Sequence, residues 1–221
     1  MKVFEMGRVR IGLSDISDGN MKTFTESEEV LANRRRFLSE MRVVFERAGF
    51  VKVEYDGVED FCVFSEMAGG NLLSLNLGAE RADGLAVRGE GVGLFLPLAD
   101  CLGLVLFDEM RGVLMVVHCG RQTVVQDGAR KAVEFMKREC GASAEDVRVW
   151  MSPSAGKENY PVFDLGGKGM QEAVVEQLVG AGVLLEKMVL SEVDTTEDEN
   201  YWSHSRGDTG ERFAICAVME Q

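Results

Sequence analysis

Three apolar runs, residues 92–98, 102–107 and 113–117, follow one another with only short polar or glycine-containing breaks between them. Each is too short for a helix and too rich in valine, leucine and glycine. A run that is apolar at every position, not at alternate ones, belongs to a strand covered on both faces. The chain must therefore build a sheet with something packed on either side. Asp108, Glu109, Met110 and Arg111 read as a four-residue connection joining the second and third runs as an antiparallel hairpin. With Phe107 opposite Gly112, Cys101 comes opposite His118. Directly opposed residues share a face, with Cβ atoms about 4.5 to 5.5 Å apart. Such a pair suits a shared metal ion or a thiol-imidazole hydrogen bond. A connection one residue longer would put the two out of step.

The flanking sequence fits this centre. Thr25 and Glu28 have capping-box spacing, and Val30, Leu31, Leu38, Met41, Phe45 and Ala48 recur at helical spacing until Gly49. Strands are expected at 51–55, 61–64, 72–77, 147–151, 188–190 and 213–219. A helix over 123–140 is expected from the stripe Val125, Ala129, Ala132, Met136 and Cys140, with Gly141 as its stop, and another over 169–179. The expected class is α+β, mixed β-sheets flanked by helices, in one domain over 1–221.

Charge and cysteine usage exclude several functions. The formal net charge of -13 opposes long-range attraction to nucleic acid or anionic membranes. The one dense basic cluster, Arg34 to Arg36, reads as a solvated helix face. No apolar run reaches the ~18 residues of a membrane span, and MKVFEMGRVR has no signal-peptide core, so a cytoplasmic location is expected. The five cysteines are an odd number, widely spaced, which argues against a disulfide framework. With only His118 and His204 available, a metal site built mainly from imidazole is excluded.

Several short stretches, in order along nearly the whole chain, carry a family resemblance. They are Asn33-Arg34-Arg35, Ala82-Asp83-Gly84-Leu85, Ala99-Asp100-Cys101-Leu102, Val116-Val117-His118-Cys119-Gly120, Ser152-Pro153-Ser154-Ala155-Gly156 and Tyr201-Trp202-Ser203-His204-Ser205-Arg206. Together they resemble the laccase-domain, or YfiH-like, family. The resemblance implies a zinc ion held by the Cys of A-D-C, the His of H-A-G and a third His from a Q-V-H-G motif. The implied activities are purine nucleoside phosphorolysis, adenosine deamination and, under an older name, copper-dependent polyphenol oxidation. Cys101 and His118 match two of the ligands. The Q-V-H-G position falls on Glu66-Met67-Ala68-Gly69, so an alanine stands where the family has its third ligand. Glu66, Cys119 and His204 are the available substitutes, Cys119 the weakest because it follows His118 on a strand and faces the other way. The family's W-R and S-T-R arginines are also displaced or absent, at Arg121-Gln122 and Ser14-Asp15-Ile16.

On this reading Cys101, His118 and Asp100 are the candidate catalytic residues, with Cys101 and His118 as metal ligands. Arg121, His204 and Arg206 are candidates for binding substrate. The expected ligands are a purine nucleoside, phosphate and a weakly held zinc ion, on a monomer or homodimer. Two alternatives stay open: a Cys101-His118 thiol hydrolase, and a non-catalytic binding relative that has lost the metal site. Tyr201 and Trp202 are either purine-stacking or packing residues.

Overall fold

The computed structural model describes residues 1–25, 27–67, 81–207 and 210–220. Strands β1 (Lys2–Met6), β2 (Val9–Leu13), β3 (Ala48–Phe50), β4 (Phe64–Met67), β5 (Gly84–Arg88) and β6 (Gly93–Leu98) precede the central hairpin. The hairpin is β7 (Leu102–Asp108) and β8 (Val113–Cys119), and β9 (Val147–Met151), β10 (Met188–Val189) and β11 (Phe213–Met219) follow. Helices are α1 (Glu28–Glu40), α2 (Arg121–Val125), α3 (Gly128–Cys140) and α4 (Met170–Gly180). The strands form two sheets, ordered β1-β2-β11-β6-β3 and β10-β9-β7-β8-β5-β4, with parallel and antiparallel pairs in each. The expected α+β class with mixed, helix-flanked sheets is what the chain adopts.

The apolar runs explain the layering. Along β11, Phe213, Ile215, Ala217 and Met219 point between the sheets, while Ala214, Cys216 and Val218 point outward, beneath Phe37, Leu38 and Met41 at the end of α1. Along β7, Val105 and Phe107 enter the space between the sheets, and Leu102, Leu104 and Leu106 face α3 and α4. Strands buried on both faces cannot alternate apolar with polar residues, hence the continuous runs.

Five sequence expectations are corrected. The first helix stops at Glu40, not near Gly49. Arg42 takes φ 58°, turning the chain so that Val43 N–H donates to the Leu38 carbonyl. Phe45 and Ala48 recur at helical spacing because both join the layer under α1. The N-cap is Ser27, whose Oγ accepts from Val30 N–H, instead of Thr25. The helix expected over 123–140 is two helices, broken at Gln126 and Asp127, the latter at φ 63°. Gln177 from α4 closes the break, donating to the Val124 carbonyl and accepting from Ala129 N–H at 2.7 and 3.1 Å.

Residues 51–55 form no strand. Val51 N–H still donates to the Phe95 carbonyl, after which the chain leaves the sheet. The strand expected at 72–77 lies outside the described residues. Finally, the basic cluster is only partly solvated: Arg34 is buried, its guanidinium 5.6 Å from the Phe50 ring centre. Strands β1, β2, β3 and β5 were not expected from the sequence, and the strand expected at 61–64 is β4, over Phe64–Met67. Among the described residues, no helix is long and apolar enough to cross a membrane.

Candidate active site

Cys101 and His118 meet at one end of the six-stranded sheet, by a register different from the one the sequence suggests. Asp108 pairs with Val113, so Leu102 faces Cys119 and Gly103 faces His118. The connection has four residues as expected, but it is 109–112. Gly112 belongs to the turn at φ 60°, and Asp108 stays in the strand, its carboxylate accepting from Arg111 N–H and Ser143 N–H at 2.9 and 3.1 Å. Cys101 therefore lies two residues along the chain from the partner of His118. An offset of two preserves the face, so both still point between the sheets. A Cβ on Gly120 would stand 3.4 Å from Cys101 Sγ and 3.4 Å from His118 Nε2, so thiol and imidazole converge on one spot that needs glycine beside it. Gly103, opposite His118, is equally required, since a Cβ there would lie 2.7 to 2.8 Å from Ile215 and Leu98.

This spot is the floor of a cavity of about 800 Å³, within the range of small-molecule sites. Its walls include the aromatic rings of Phe24, Tyr55 and Tyr160 and the cationic side chains of Lys22, Lys52, Arg121 and Arg212. The Arg121 guanidinium lies 4.3 Å from the Tyr160 ring centre, which fixes the plane of the guanidinium at the start of α2. Arg212 precedes β11, and because Phe213 pairs with Leu98, it emerges at the same sheet end as Cys101.

The floor is electrically neutral. Burial, followed by nearby Arg212, pushes the His118 imidazole down to about 4, so it is uncharged at neutral pH. Burial, reinforced by Asp100, pushes the Cys101 thiol up to about 11, so it keeps its proton. A thiolate-imidazolium pair has no support in these environments, which weakens the thiol-hydrolase alternative. Tyr55 Oη sits 3.4 Å from His118 Nε2 and also faces the Cys101 sulfur.

Of the other candidates, Asp100 touches the cavity, but both its oxygens hold neighbouring loops. Oδ1 accepts from Thr195 Oγ1 at 2.8 Å and Oδ2 from Ser205 N–H at 2.7 Å. The second bond anchors the turn that brings His204 to the cavity wall. Arg206, on the same turn, points its guanidinium to the carbonyls of Thr195, Asp198 and Tyr201, and does not line the cavity. Tyr201 is buried against Phe213, ring centres 5.2 Å apart, and Trp202 packs against the inter-sheet core, which fits the packing alternative for both.

A three-ligand metal centre does not fit the described residues. Among them, no group of three His, Cys, Asp or Glu is placed to hold an ion. Glu66 is ion-paired with Arg88 at 2.7 Å beside Cys140, and Cys119 faces the helices, away from the cavity. Ala68 lies outside the described residues. A ligating histidine ordinarily has its second ring nitrogen held by a carbonyl or carboxylate. Here His118 Nδ1 is buried with no partner among the described residues.

Sequence reasoning missed Tyr55, Tyr160, Arg212, Lys22 and Lys52. Only Arg212 carried a usable signal, as the residue entering a strand whose partner ends beside Cys101.

Comparison with known proteins places the chain. It is 30% identical over 95 residues to a purine nucleoside phosphorylase of Bacteroides thetaiotaomicron, covering 40% of this chain and 35% of that one. It is 33% identical over 85 residues to adenosine deaminase RL5 from an unknown prokaryotic organism, covering 38% and 32%. The matched stretches thus span about a third of either relative's length. The solved structure of Bacillus licheniformis YfiH superposes with a TM-score of 0.84 at 18% identity, over 98% of this chain and 94% of that one. The family model described as multi-copper polyphenol oxidoreductase laccase matches residues 13–176. With that match over most of its length, the chain belongs to the multi-copper polyphenol oxidoreductase laccase family, whose YfiH-like fold it shares.

Proposed function

We propose that the cavity binds a purine nucleoside together with inorganic phosphate, and that its reaction is phosphorolysis of the glycosidic bond. The observation that carries this reading is the convergence of Phe24, Tyr55 and Tyr160 with Lys22, Lys52, Arg121 and Arg212 on one cavity. Of the four cations, Lys52 is ion-paired with Glu54 at 2.9 Å, and Lys22, Arg121 and Arg212, against the single carboxyl of Asp100 in the same lining, call for an anion in a chain of net charge -13. The rings supply faces on which a flat heterocycle can stack. The names of the relatives, purine nucleoside phosphorylase and adenosine deaminase, agree on a purine nucleoside.

Phosphorolysis suits this donor set better than deamination or polyphenol oxidation. Deamination requires a strongly activated water, which a three-ligand zinc supplies and two donors do not. Copper oxidation needs more imidazole than the two histidines of this chain. In phosphorolysis a phosphate oxygen bonds to the anomeric carbon, the carbon-nitrogen bond breaks with its electron pair going to the purine, and the purine takes up a proton. The cations hold the phosphate against the sugar, and that placement supplies most of the catalysis the residues can provide.

The test is to incubate metal-stripped protein with inosine, adenosine or guanosine in phosphate and measure free base and ribose 1-phosphate. The expected result is phosphate-dependent release of base, with Arg121→Ala and Arg212→Ala each raising the KM for phosphate at least tenfold. A second reading, nucleoside binding without turnover, is favoured by one observation, the hydroxyl of Tyr55 lying against both reactive groups of the floor. Saturable nucleoside binding by calorimetry with no base released would establish it. No binding of either ligand would overturn both.

A further inference from the structure

We infer that the Tyr55 hydroxyl stands in the position a metal ion would take between Cys101 and His118, so that this member of the family has a metal-free pocket. The inference does not depend on which substrate the cavity takes.

The geometry has three parts. Cys101 Sγ and His118 Nε2 both approach the same point beside Gly120, each 3.4 Å from where a Cβ there would sit. A cysteine sulfur and a histidine nitrogen converging in this way are donors that a shared ion would use. Here a third group enters from the loop 51–63, and Tyr55 Oη reaches 3.4 Å from His118 Nε2 while facing the Cys101 sulfur. The ring of Tyr55 lies edge-on to the imidazole, centres 6.2 Å apart, so the phenol points its polar end at the floor with its ring toward the opening. The ring is largely open to solvent, the residue being 56% exposed, so only the hydroxyl is committed to the floor.

Hydrogen-bond accounting supports a neutral triad. His118 Nδ1 is buried without a partner among the described residues. An orphaned acceptor is less costly than an orphaned N–H, so the imidazole proton belongs on Nε2. Nε2–H then donates to Tyr55 Oη, leaving the phenolic hydrogen free to donate to Cys101 Sγ. In that arrangement the nitrogen facing the cavity has no lone pair for a metal, and the sulfur is satisfied as a neutral thiol. Ala68, at the family's third-ligand position, agrees with the loss. No step of the proposed chemistry requires the ion.

The test is a competitive zinc titration with a chromophoric chelator on metal-stripped protein, comparing wild type, Tyr55→Phe and Tyr55→Ala. Cobalt(II) serves as a second probe, because a thiolate ligand gives it a charge-transfer band. The expected result is no stoichiometric zinc binding by wild type at micromolar metal. Tyr55→Ala should bind at least tenfold more tightly and show the cobalt band, and both gains should vanish when Cys101→Ser is added. Tyr55→Phe, which removes only the hydroxyl, should fall between. Thermal unfolding confirms that each variant is folded, and if Tyr55→Ala is not, Tyr55→Phe decides. One equivalent of zinc bound tightly by wild type through Cys101, or equal zinc affinity in wild type and both folded variants, would overturn the inference. Neither outcome bears on whether nucleoside and phosphate bind.

Discussion

Asp100 separates a catalytic carboxylate from a structural one by a stability measurement. Its side chain is buried, 3% exposed, and both oxygens accept hydrogen bonds, one from the hydroxyl of Thr195, itself fully buried, and one from Ser205 N–H. Its backbone takes φ 76°, a region that a residue with a Cβ enters at a cost of roughly 1 to 2 kcal/mol. Asp100→Ala removes two hydrogen bonds to a charged group, each contributing about 1.5 to 3 kcal/mol, and strands a buried hydroxyl. The three groups form one network, so the losses do not simply add, and a net cost of about 4 kcal/mol is expected. Asp100→Gly loses the same bonds but removes the backbone strain, so it should be about 1 kcal/mol more stable than the alanine variant. Asp100→Asn tolerates the left-handed backbone and keeps one acceptor oxygen, so its cost should be about 2 kcal/mol. The assay is equilibrium urea unfolding. With a slope of about 2 kcal/mol per molar, the alanine midpoint should fall by about 2 M. A shift under about 0.5 M, or an alanine variant more stable than the glycine one, would refute the clamp and return Asp100 to the list of acid-base groups.

Other consequences are open to measurement. His118 is held well below its ordinary value, down to about 4, so the unfolded chain binds more protons between there and the usual histidine range near 6.5. The stability it contributes is complete above that range and is lost as pH falls through the window, at up to about 1.4 kcal/mol per pH unit. His118→Gln should flatten that part of the profile, and identical profiles would contradict the burial argument. Cys101, pushed up to about 11, should alkylate negligibly at pH 7, as read by mass spectrometry of its peptide; an inflection below pH 8 would revive the thiol-nucleophile alternative. Gly120→Ala should lower stability and displace His118, because its Cβ would stand 2.7 Å from the imidazole Cε1; wild-type stability together with unchanged nucleoside binding would show that the floor is looser than drawn.

The sequence was legible where side chains of consecutive residues answer to one physical constraint. The runs in β6, β7, β8 and β11 are apolar because both faces are covered, and nothing else in a chain of this composition demands that pattern. Register was legible only to its parity. Asp108 and Gly112 are both turn-favouring residues, so a four-residue connection can begin at either 108 or 109, and the left-handed φ of Gly112 and the two bonds to the Asp108 carboxylate decide for 109–112. The pairing of Cys101 with His118 survived because the shift moved them by two residues. A shift of one would have put them on opposite faces.

The irregular segments set the chemistry of the pocket, and they were the least legible. Residues 51–55 alternate like a strand, but β3 ends at Phe50, and the chain then crosses the mouth of the cavity carrying Lys52 and Tyr55 into it. No local pattern distinguishes a tyrosine that will extend a sheet from one that will reach a histidine 63 residues away. Tyr160 and Arg212 are likewise brought in by pairings between distant strands and loops. The motif residues Cys101 and His118 therefore state where the site is, whereas what it can do depends on the loop residues that surround them. A floor of neutral thiol, phenol and imidazole beneath four cations favours holding an anion against a neutral ligand over activating water, and that difference arises from Tyr55 and the arginines, outside the motif pair.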